Sequence, residues 1–128
     1  LGIHTEADLL QSPSRGNSFE GFMIEQITAL EGLANPGSRF FFFRTHAGAG
    51  LDLIVDRGQT RIGYEFKCSS SASAGDWAHL KAGIAEGLIQ KGIVVYLGDR
   101  SFPVTDAISV VPAADLLLTG PRQGGKTD

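Results

Sequence analysis

The spacing of apolar residues changes several times along this chain, and each change marks an element. From Phe19 to about Leu33, the residues Phe19, Phe22, Met23, Ile27, Leu30 and Leu33 recur at helical spacing and predict one amphipathic helix. Asn17 or Ser18 can cap its start, and Asn35, Pro36 and Gly37 stop it. RFFFFRT at 39–45 reads as a buried strand, HAGAG at 46–50 as a loop, and LDLIV at 51–55 as a second strand. Asp56, Arg57, Gly58 and Gln59 carry hairpin-turn chemistry before a third strand, TRIGYEFK at 60–67, so residues 51–67 should form an antiparallel hairpin. A Ser/Ala loop at 69–75 leads to Asp76, a helix cap, and to a helix with Trp77, Leu80, Ile84 and Leu88 on one side, which Gly92 ends. IVVYL at 93–97 is a fourth strand, ISVV at 108–111 a fifth at the sheet edge, and PAADLLL a short helix or extended tail. Residues 1–16 read as a lead-in segment.

Helix, three strands, helix, then one or two strands predicts an α/β fold, a mixed sheet flanked by helices. A length of 128 residues suits one domain, taken as 1–118 with a flexible tail at 119–128. The first residue is Leu1 rather than Met, which reads as a piece of a longer protein or a trimmed form of one. No apolar run approaches the ~18 residues of a membrane span, so no membrane partner is expected. The single cysteine, Cys68, excludes an intrachain disulfide framework and fits a reducing, cytoplasmic compartment. By strand alternation Cys68 should face the core as an inert thiol.

Alternation also brings the chemistry together. In YEFK, Tyr64 and Phe66 share one face while Glu65 and Lys67 share the other. With the hairpin in register, Asp52 can lie near Glu65. Two adjacent carboxylates repel, and a divalent ion between them removes that cost. Mg²⁺ or Mn²⁺ held by Asp52 and Glu65 would polarise a phosphoryl oxygen and acidify a bound water, with Lys67 as the catalytic cation. On a helical wheel Glu20 borders the apolar stripe and can support this site, whereas Glu25 faces solvent. An exposed strand face explains the same residues, but LDLIV and RIGYEF are apolar enough to be central strands.

GNSFEGFMIEQI, RTHAGAGLDLIV, GYEFKCSS and GIVVYLGD, in that order, resemble the nuclease-like C-terminal domain of unknown function found in prokaryotic AAA-type P-loop ATPases. That domain is placed within the PD-(D/E)XK, restriction-endonuclease-like superfamily. The resemblance covers about residues 1–118. It implies an αβββαβ core in which Glu20, Asp52, Glu65 and Lys67 form a metal site. One position departs from the pattern. Gly50 stands where these domains usually carry a glutamate, two residues before the aspartate.

Other motifs point less far. GPRQGGKT at 120–127 satisfies the P-loop pattern, but the chain ends before the helix and acidic strand that such a site needs. His46 sits in the loop before Asp52, and His4 and His79 lack ligand-spaced partners. Arg39, Arg44, Arg57 and Arg61 flank the hairpin strands, where phosphate contact or simple solvation would account for them. Trp77 and the phenylalanines at 40–43 read as core. Two functions follow. One is a Mg²⁺-dependent phosphodiesterase acting on DNA. The other is a non-catalytic, nuclease-derived module that binds nucleic acid, a P-loop ATPase domain or another subunit. The net charge of −3 gives no general attraction to nucleic acid and, with Gly50, favours the second.

Overall fold

A computed structural model describes residues 2–4, 18–44 and 50–119. In chain order the elements are β1 (Gly2–His4), α1 (Ser18–Ala34), β2 (Arg39–Arg44), β3 (Gly50–Asp56), β4 (Arg61–Lys67), a 3₁₀ turn (Ala74–Trp77) running into α2 (Ala78–Ala85), β5 (Lys91–Tyr96), β6 (Phe102–Pro103), β7 (Ile108–Pro112) and α3 (Ala113–Thr119). The strands form one seven-stranded sheet in the order β1-β2-β3-β4-β5-β7-β6. β1 to β4 run antiparallel as a meander. The crossover through α2 makes β5 parallel to β4, β7 is parallel to β5, and β6 closes back antiparallel on β7.

Each face of the sheet has its own core. On one face Leu53, Val55, Ile62, Tyr64, Val95 and Val111 pack with Met23 and Ile27 of α1 and Leu116 of α3. On the other, Ile54, Val94, Tyr96, Ile108 and Val110 pack with Leu80 of α2 and with Ile89. α2 lies tightly on the sheet because β4 offers no side chain at Gly63. A Cβ there would stand 2.7 Å from Ile89 Cδ1 and 3.1 Å from Leu80 Cδ2.

The predicted helix, hairpin, crossover helix and fourth strand are present, and several details differ. The lead-in supplies β1, which pairs Gly2–His4 with Phe42–Arg44. Residues 108–112 are not the sheet edge, since Phe102 and Pro103 pair outside them. Gly87, at φ +77°, follows α2, while Gly92 lies inside β5 beneath Leu80. Phe22 and Leu33 are exposed at 48% and 82%, whereas Glu31 is wholly buried. The apolar stripe of α1 is thus narrower than its hydrophobic residues suggest. Cys68 is exposed, because the strand stops at Lys67 and Ser69 N–H turns back to the Lys67 carbonyl at 2.9 Å. Asn17, His46 and the P-loop-like stretch at 120–127 lie outside the described residues, as do the side chains of His4 and Arg44.

Candidate functional site: a carboxylate fork between β3 and β4

The β3–β4 ladder runs from Asp56↔Arg61 to Leu53↔Tyr64. At the next step, side chains replace it. Asp52 N–H donates to Glu65 Oε2 at 3.0 Å, and Phe66 N–H donates to Asp52 Oδ2 at 2.8 Å. Each carboxylate satisfies a backbone amide at the opening of the fork, where an unpaired N–H would be costly. β4 meanwhile continues along β5 as far as Lys67↔Tyr96.

A β-bulge prepares this fork. Phe41 pairs with Ile54 but Phe43 with Leu51, so β3 carries one extra residue opposite Phe42. Alternation breaks at that point. Leu51 packs in the α2-side core, whereas Leu53, two residues on, packs in the α1-side core. Asp52 sits at the break, a position that strict alternation could not have given.

Glu65 and Lys67 lie on the α2 side. Glu65 Oε1 is 3.8 Å from His79 Nδ1. Lys67 Nζ is 3.0 Å from Asp76 Oδ1, and Asp76 Oδ2 accepts the Ser73 N–H at 2.7 Å. Burial pushes the Asp76 carboxyl up, but the Ser73 N–H and the Lys67 ammonium outweigh it and hold it below the usual carboxylate range. Asp76 is therefore not the helix cap expected of it. It is the acid three residues after Ser73, and it ties the 3₁₀ turn to β4. The pattern Ser-x-x-Asp was a readable signal for this role, and His79 is the other partner that the spacing alone did not supply.

Residues 15–116 match the family described as "Domain of unknown function (DUF4143)". The chain belongs to the DUF4143 family. The match takes in α1, the fork, α2 and all the strands from β2 to β7. The uncharacterized proteins Rv2008c of Mycobacterium tuberculosis and Mb2031c of Mycobacterium bovis are each 35% identical to it over 121 residues, 94% of this chain and 26% of theirs. The chain thus spans about a quarter of the length of these curated relatives. No solved structure matches it.

Within this DUF4143 domain, the predicted site residues fall into two groups. Asp52 and Glu65 meet directly, and Lys67 stands on the face of Glu65 with its ammonium turned to Asp76. Glu20 lies in the first turn of α1, half-buried, on the helix that covers the opposite face from α2. Glu25 is exposed. Asp52 and Glu65 offer the oxygen donors that Mg²⁺ takes, yet one oxygen of each already accepts a backbone N–H. Among the described residues no group of three or more His, Cys, Asp and Glu is gathered for a metal ion. Among the described residues the fork thus offers an ion the remaining oxygens of two carboxylates and no third ligand of these types.

Two of the arginines considered for phosphate contact are bound within the fold. Arg57 pairs with Glu31, and Arg61 donates to the carbonyls of Leu88 at 2.6 Å and Gly87 at 3.1 Å. Arg39 stacks its guanidinium over the Phe41 ring at 5.5 Å. Among the described residues no helix is long and apolar enough to cross a membrane.

Proposed function

We propose that this DUF4143 domain is a non-catalytic, nuclease-derived accessory module that contacts a P-loop ATPase domain or subunit. The observation that carries this reading is the internal engagement of Asp52, Glu65 and Lys67. Asp52 and Glu65 accept backbone amides, and Lys67 is paired with Asp76. A lysine that stabilises charge in a transition state must point its ammonium at the reacting group; here it fastens the 3₁₀ turn to β4. Arg57 and Arg61 serve the fold in the same way, which removes cations that phosphate binding would use. The αβββαβ order of α1, β2, β3, β4, α2 and β5 supports descent from a restriction-endonuclease-like core. The resemblance to ATPase C-terminal domains supplies the partner class. Relatives in which the matched part is 26% of the length leave room for such a domain in one chain.

A Mg²⁺-dependent phosphodiesterase is the competing reading, favoured by the placing of the Asp52 and Glu65 carboxylates at one fork, each on an amide across it. Nicking of supercoiled DNA at low salt, with Mg²⁺ or Mn²⁺, separates the two. The chain is assayed beside Lys67→Ala and beside Asp76→Asn, which releases the lysine. No Lys67-dependent nicking is expected from any of them, together with calorimetric binding to a P-loop ATPase domain. Metal-dependent nicking lost in Lys67→Ala would overturn the accessory reading.

A further inference from the structure

We draw no further inference here: the strongest candidate, the exposed apolar face of α1 that carries Phe22 and Leu33, supports no proposal because nothing in the structure shows what covers it.

Discussion

Glu31 and Arg57 meet inside the α1-side layer through two hydrogen bonds, Nε to Oε2 at 2.5 Å and a terminal nitrogen to Oε1 at 3.0 Å. Asn35 Nδ2, at 2.9 Å, and Ser38 Oγ, at 3.3 Å, complete the shell around Oε2. The hydrogen bond to Glu31 raises the Arg57 pKa further. This cluster joins the last turns of α1 to the β3–β4 turn, where Arg57 N–H also bonds the Thr60 carbonyl at 2.9 Å. Removing one member leaves a buried charge without its counter-ion.

Arg57→Ala should therefore destabilise by about 3 kcal/mol or more, since breaking a buried pair costs more than the pair contributes. Glu31→Leu combined with Arg57→Met should recover most of that loss. Urea unfolding of the single and double variants gives both values. An Arg57→Ala midpoint equal to wild type would show that the pair carries no weight.

Tyr64 gives the pH dependence. Its ring is fully buried, and its hydroxyl has no hydrogen-bond partner among the described residues. Burial, with the Glu31 carboxylate beside it, pushes the phenol well above its usual range, and Arg57 opposes this only in part. In the unfolded chain the phenol ionises near pH ~10, whereas in the fold it stays neutral beyond that. The contribution is fully present below pH ~10 and is lost as pH rises from there. Wild type should lose stability above that pH more steeply than Tyr64→Phe. At neutral pH the variant should match or exceed wild type by up to about 1 kcal/mol, since it removes an unsatisfied buried hydroxyl. Thermal melts across the alkaline range decide both points.

Periodicity located the main elements because they are strongly patterned. The hairpin at 51–67, the crossover helix and the strand at 91–96 could all be read from their apolar spacing and their turn residues. What could not be read depends on partners distant in sequence. The apolar pattern put Phe22 and Leu33 inside and did not place Glu31 there, because a carboxylate can be buried once an arginine 26 positions away returns to it. β6 has only two residues, too few to show a period. Asp52 and Glu65 were found for their type and spacing. Their bonds to backbone amides, however, follow from a bulge opposite Phe42 that no local pattern announces.

Close packing over Gly63 yields a third prediction. A methyl group there would press on Ile89 Cδ1 at 2.7 Å, with Leu80 and Leu51 side chains on its other sides at 3.1 and 3.3 Å. Gly63→Ala should cost about 1–3 kcal/mol through overpacking. Ile89→Val removes that Cδ1 and should restore part of the loss. Additive destabilisation in the double variant would show that the strain lies elsewhere.

The fork itself supplies the last prediction. Two carboxylates at one fork suggest mutual repulsion, by which removing Asp52 would leave the metal-free protein as stable as before or slightly more so. The bonds argue the reverse, because Asp52 Oδ2 is the acceptor for Phe66 N–H at a half-buried position. Asp52→Ala leaves that amide without its partner and should cost about 1–3 kcal/mol. Asp52→Asn keeps a carbonyl oxygen at the same place and should cost clearly less. Neither variant should change the response of the melting temperature to Mn²⁺, since an ion stabilises a fold only by binding it. Melting with and without Mn²⁺ for wild type and both variants gives the answer. A Mn²⁺-dependent rise present in wild type and absent from Asp52→Asn would mean that the fork holds a metal after all.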